Sequence, residues 1–163
     1  MISGAVFSDC RNYRYDLWRI WNVHRPQVLF IGLNPSIADE TENDPTVRRC
    51  IGFAQKWGYG GLHIANLFAL RATQPRLLKL ADDPVGPQND TWLERLFSKT
   101  DVWVFCWGNQ GRFFNRNQFI LKAALRLGCQ KAYFLRKTKQ AQPAHPLFLP
   151  ADTQLKPFHL FTA

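Results

Sequence analysis

Val28-Leu-Phe-Ile-Gly-Leu-Asn-Pro-Ser36 is the stretch whose reading decides the fold of this chain. Residues 28–31 form a continuous apolar run rich in β-branched and aromatic residues. Such a run marks a strand buried on both faces, as in a parallel sheet covered by helices. Gly32 lets the backbone turn, and Asn34, Pro35 and Ser36 follow at once. Ligands of open α/β sheets sit outside the carboxyl ends of the strands. An Asn held by a Pro at that place is therefore a candidate binding or reactive residue. The same letters also read as a plain Asn-Pro turn.

Downstream, Asp44-Pro45-Thr46 opens a helix, with Asp at the cap and Pro at the first helical position. Val47, Cys50, Ile51, Ala54 and Trp57 recur at spacings of three and four and give it one apolar face. Gly58, Gly60 and Gly61 close it. Residues 62–66 read as a second strand, Pro75 opens a short helix through Leu80, and Asn89 or Asp90 caps a helix to about Ser98. Residues 101–107 make a third strand. A helix over roughly 116–127 stops at Gly128, and residues 131–135 make a fourth strand. Upstream, residues 13–21 alternate for part of their length, which suggests a half-exposed strand at a sheet edge. Residues 155–161 can add another edge strand.

The expected fold is therefore α/β, a three-layer α/β/α sandwich around a central, mainly parallel four-stranded sheet with antiparallel strands at its edges. It is expected as a single domain over residues 1–163. In that architecture the loops at 32–36, 66–73, 107–111 and 136–145 share one rim.

A content of 46% hydrophobic and 14% aromatic residues suits a globular chain with a real core. No run of about 18 apolar residues is present, and residues 1–11 lack the layout of a signal peptide. A cytoplasmic protein without a membrane partner is expected. Cys10, Cys50, Cys106 and Cys129 stand far apart without metal-ligand spacing, so free thiols in a reduced compartment are expected. Neither a metal nor a cofactor is expected. No phosphate-binding glycine loop of Walker or dinucleotide spacing and no hydrolase Ser elbow occurs. The net charge of +9, from 21 basic and 12 acidic residues, favours a polyanionic partner, either nucleic acid or a phosphorylated nucleotide-like ligand. The charge is uneven. Asp39, Glu40, Glu42 and Asp44 follow the opening motif, whereas residues 112–139 hold many cations and no acid. The oligomeric state is not legible in the sequence.

An amide does not titrate, so Asn34 cannot be a base, but it can hold a water and offer its NH₂ to an acceptor. Activating that water needs a carboxylate, and Asp39 and Asp44 are the candidates, although the more natural role of Asp44 is to cap its helix. His145, fixed by Pro146 after the last strand, can donate to a developing anion or transfer a proton. Its plainer reading is a surface-loop histidine. Gly32 and Ser36 are expected substrate contacts beside Asn34. Arg48 and Arg49 stand near a helix N-terminus, where anions are favoured, or pair with Glu40, Glu42 or Asp44. Arg71 carries the same ambiguity. Trp107 is the expected rim aromatic for stacking a base. His24, His63 and His159 are expected to be structural.

Several motifs occur together: Gly32-Leu-Asn-Pro-Ser36, Asn43-Asp-Pro-Thr-Val-Arg-Arg-Cys50, Asn66-Leu-Phe-Ala69, Trp107-Gly108 and His145-Pro-Leu147. Over nearly its full length the chain resembles the bacterial and phage domain-of-unknown-function family 1643, which has no established activity. More distantly, its opening motif is similar to the Gly-Ile-Asn-Pro-Gly motif of the mismatch-specific branch of the uracil-DNA glycosylase superfamily. Its His-Pro-Leu segment is similar to that superfamily's late His-Pro-Ser-Pro-Leu loop, in the same order along the chain. The resemblance implies a water positioned by Asn34, a departing base anion stabilised by His145, Leu147 as the wedge that replaces a flipped base, and Asn66 reading a base edge. The chain departs from the pattern in its acidic loop after the first motif and in the missing Ser of the late loop. The expected function is a glycosylase-like hydrolase acting on a nucleobase or nucleotide, free or within DNA, as in DNA repair or modification. The rivals are a non-catalytic nucleic-acid-binding module using residues 112–139, and a small-molecule enzyme of the same fold.

Overall fold

A computed structural model describes residues 1–127 and 131–159. Among these residues seven strands form one sheet: β1 (Ile2–Phe7), β2 (Arg14–Ile20), β3 (Gln27–Gly32), β4 (Gly61–Asn66), β5 (Val102–Phe105), β6 (Ala132–Phe134) and β7 (Lys156–Pro157). Three α-helices cover it: α1 (Pro45–Lys56), α2 (Asn89–Lys99) and α3 (Arg116–Arg126). The strand order is β1-β2-β4-β3-β5-β6-β7. β3 pairs in parallel with β4 and with β5, and β5 with β6. β1, β2 and β7 join this parallel centre as antiparallel strands.

The side-chain alternation of β3 sets the layers. Val28 and Phe30 belong to a core with Val47, Cys50, Phe53 and Ala54 of α1. Leu29 and Ile31 belong to a second core with Leu93, Leu96 and Phe97 of α2 and Ile120 and Ala124 of α3. Helices therefore cover both faces, as the unbroken apolar run of β3 requires. At the start of α1 the Asp44 side chain accepts from the Val47 N–H at 2.9 Å, with Pro45 following it. The chain steps from β3 outward to β4, then returns across β3 to β5. The loops leaving β3 and β5 thus part from each other, which makes the crevice where open α/β sheets bind ligands.

Several expectations are corrected. The segment at 13–21 is not a half-exposed edge: β1, which the sequence did not announce, pairs outside β2, and most of β2 is buried. Its charges are accommodated inside. Asp16 meets His63 at 3.0 Å, both buried, so His63 is structural as expected. Asn89 does not cap α2 but lies within it, fully buried, and donates to the carbonyls of Asn66 and Leu67. The last strand is shortened to β7, and residues 160–161 of the expected strand lie outside the described residues, as do the expected helix stop at Gly128 and the thiol of Cys129. Among the described residues no helix is long and apolar enough to cross a membrane.

Phe30 is fully buried and stacks at 6.0 Å on Trp57. Phe30→Ala is expected to remove about 3–5 kcal/mol of stability, measured as a shift in the urea unfolding midpoint at unchanged slope.

Candidate functional site

A cavity of about 420 Å³ opens at the carboxyl ends of the four parallel strands, and all four of their loops line it. Asn34 and Ser36 come from the loop after β3, Asn66 and Thr73 from the end of β4 and its loop, Trp107 and Gln110 from the loop after β5. His145 and Leu147 come from the loop after β6, and Asp44 from the start of α1. The shared rim expected from the strand order is thus a real concavity.

Asn34 enters it with one group only. Its Nδ2 donates to the carbonyls of Pro35 at 3.0 Å and Ala72 at 2.8 Å. Carbonyl oxygens only accept, so the amide orientation is fixed by chemistry, and Oδ1 is the group left for a ligand or water. The expectation that Asn34 also offers its NH₂ is corrected. Gly32 is likewise not a turn residue. It ends β3 opposite Asn66, and a Cβ there would stand 2.9 Å from Asn66 Oδ1. The missing side chain makes room for the Asn66 amide, which is buried with its Nδ2 unpartnered.

His145 precedes a short 3-10 turn at Pro146–Phe148, and its Nδ1 accepts from the Leu147 N–H at 3.2 Å. An Nδ1 used as acceptor places the proton of the neutral ring on Nε2. Burial holds the imidazole below its ordinary value of 6.5, partly opposed by the charge of Asp44. The ring is thus kept as a neutral donor. Of the two candidate carboxylates, Asp44 lines the cavity with one oxygen engaged in its cap. Asp39 does not line it. Its Oδ1 accepts from the backbone N–H groups of Glu42 at 2.8 Å and Thr41 at 3.0 Å, and these bonds hold its carboxyl below the usual range.

The other expected contacts divide. Arg48 and Arg49 lie outside the cavity, on a separate groove of about 400 Å³ shared with Lys56 and Leu147. Among the described residues neither pairs with an acid. Arg48 donates to the Asn43 carbonyl at 3.0 Å and Arg49 to the Leu147 carbonyl at 3.5 Å. Arg71 is a clamp rather than a contact, donating to the carbonyls of Ser36 and Arg11. Trp107 lines the cavity but is only 1% exposed, stacks on Phe105 and donates to Gln142 Oε1. The aromatic at the mouth is Phe148, 83% exposed, and it went unnoticed beside Leu147. Arg14 was also missed. Its place in an alternating segment marked it as solvent-facing, yet it is buried and lines the cavity. The basic stretch at 112–139 is less free than its composition suggests, since Arg116, Arg126 and Lys131 pair with Asp90, Glu94 and Asp101.

A family model described as "Protein of unknown function (DUF1643)" matches residues 14–147. No curated protein and no solved structure matches the chain.

Two outcomes follow from the site's geometry. Because the folded imidazole of His145 titrates below 6.5, the unfolded chain takes up this proton first as the pH falls. The residue's contribution to stability is then present above that value and is lost on acidification towards the folded value. Unfolding midpoints at about pH 7.5 and pH 5.5 are expected to fall less in His145→Gln than in the parent. Asn caps as well as Asp, so Asp44→Asn is expected to keep the stability of α1, whereas Asp44→Ala loses about 1 kcal/mol in the same assay.

Proposed function

Because the chain belongs to the DUF1643 family, whose activity its name leaves open, the reading must come from its own site, and we propose that it is a hydrolase of N-glycosidic bonds releasing a nucleobase from a nucleotide-like substrate. The observation that carries this reading is that Asn34 and Asp44 line one cavity at the strand ends together with His145, about a hundred residues further on. Oδ1 of Asn34 accepts a hydrogen bond from a water and aims it, and the carboxylate of Asp44 takes the proton that the water gives up. The oxygen bonds to the anomeric carbon while the carbon–nitrogen bond breaks, and its electron pair leaves with the base. The Nε2–H of His145 donates to the base anion, a role a neutral imidazole fills without being protonated first. Phe148 at the mouth offers a flat face to a base. The similarity of the Asn-Pro and His-Pro-Leu motifs to the uracil-DNA glycosylase superfamily supports the same assignment, with that superfamily's arrangement of four parallel strands.

One observation favours a second reading. The groove with Arg48, Arg49 and Lys56 on one face of α1 suits the phosphates of a nucleic-acid strand, bound without chemistry. Such binding weakens steeply with salt and is indifferent to Asn34.

The deciding experiment measures base release from nucleoside 5′-monophosphates and from oligonucleotides carrying uracil or hypoxanthine. Asn34→Ala and His145→Ala are each expected to slow release by about 100-fold or more. Equal rates in parent and variants would sink the assignment.

A further inference from the structure

Arg14 is the one cavity-lining cation buried in the body of the fold among the described residues, at 3% exposure. Its Nη1 donates to the Ala38 carbonyl at 3.1 Å, its Nε has no partner, and it forms no ion pair among the described residues. Asp44 and Asp16 favour the cation from a distance, whereas Arg71 and Arg19 oppose it. Burial pushes its guanidinium down to about 10, so it still carries its charge at neutral pH. A buried charge without a counter-charge is among the least favourable arrangements a fold can hold. Asn66, on the strand paired with β2, has the same deficit, since its Nδ2 is buried without a partner. Two residues that line the same cavity thus each hold a buried donor without a partner, and one of them is charged.

We propose that the floor of this cavity binds the phosphate of a small ligand, Arg14 supplying the charge and Asn66 a second donor, so that the substrate is a phosphate monoester of nucleotide size. A planar guanidinium suits an oxyanion, which its N–H groups can meet with more than one hydrogen bond. The lining carries the rest of such a ligand. Both Arg14, which is buried, and Phe148, 83% exposed, line the cavity. A phosphate on the floor then leaves the base for the aromatic lip, with Asn34, Asp44 and His145 lining the same cavity. A volume of about 420 Å³ is in the range of small-molecule sites. The net charge of +9 steers such an anion inward. The nucleotide identity of the ester rests on the proposed hydrolase reading, whereas the oxyanion site stands without it.

Calorimetric titration of the full chain with deoxyuridine 5′-monophosphate, deoxyuridine and inorganic phosphate tests the site. The monophosphate is expected to bind about 30-fold or more tighter than the nucleoside, a difference set by the charge-assisted contacts. Arg14→Met is expected to bring the two within about 3-fold, with Arg14→Lys between them. The Met variant removes the donor to the Ala38 carbonyl together with the buried charge, so its melting point is measured beside its binding. Should it fail to fold, Arg14→Lys and Asn66→Ala carry the same comparison. A parent that does not distinguish monophosphate from nucleoside, or an Arg14→Met protein that still does, overturns the proposal. Oligonucleotides with and without a 5′-phosphate separate the two sources of the ester. Binding that depends on the terminal phosphate supports a strand end, and binding of the mononucleotide alone supports a free nucleotide. Phosphate discrimination without base release keeps the site and sinks the hydrolase, whereas base release without discrimination sinks the site alone.

Discussion

Three arginines hold the loop between β3 and α1 by its main chain, and the cavity wall depends on that grip. Arg71 donates to the carbonyl of Ser36, Arg14 to that of Ala38, and Arg19 to those of Asp39 and Glu42. A loop that dips into the body of a protein leaves carbonyls with no strand or helix to receive. Guanidinium groups answer this by presenting several N–H donors from one rigid plane. Arg19 adds a bond from Nε to the Asn43 side chain just before the cap of α1. The clamp thus reaches from Ser36 to Asn43 and ends where Asp44 turns the chain into its helix.

That clamp works because β2 is inside the sheet. β1 pairs on its outer side, so the side chains of Arg14, Asp16 and Arg19 must all find polar partners within the fold. Asp16 finds His63 on the next strand, and Arg19 finds carbonyls and Asn43. Arg14 makes one bond, to the Ala38 carbonyl, and its Nε–H is buried without a partner. Incomplete satisfaction of a buried charge is unusual where the rest of the network is complete, and it lies where the cavity begins.

The other wall is set by backbone register. Gly32 stands opposite Asn66 in the parallel pairing, and the absence of a side chain there admits the Asn66 amide. Asn89, buried in α2, fastens the end of β4 through the carbonyls of Asn66 and Leu67. On the far side the Leu147 N–H fixes the His145 ring, and the Leu147 carbonyl receives Arg49. Asn34, Asp44 and His145 are each held by hydrogen bonds to the main chain, which is what preorganises a site.

The sequence by itself determined the layered α/β arrangement, because unbroken apolar strands and amphipathic helices have few ways to bury their faces together. It also marked Asn34, Asp44 and His145, since strand-end Asn-Pro, Asp-Pro and His-Pro pairs stand out against apolar periodicity. Periodicity failed where tertiary partners overrode it. The alternation in β2 resembled an edge strand because charges ordinarily mark solvent, and no local pattern shows that His63 and the loop carbonyls will receive them. Trp107 resembled a rim aromatic, but its indole N–H meets Gln142, 35 residues on. Nothing local distinguished Phe148, and it is the short turn after Pro146 that leaves it exposed. Asp39 and Asp44 looked alike as acids, and only the folded loop separates a turn-capping carboxylate from one that lines the cavity. Local chemistry is written in neighbouring residues. Which polar groups end buried, and which of them stay unpaired, depends on contacts between distant segments, and those only the tertiary structure decided.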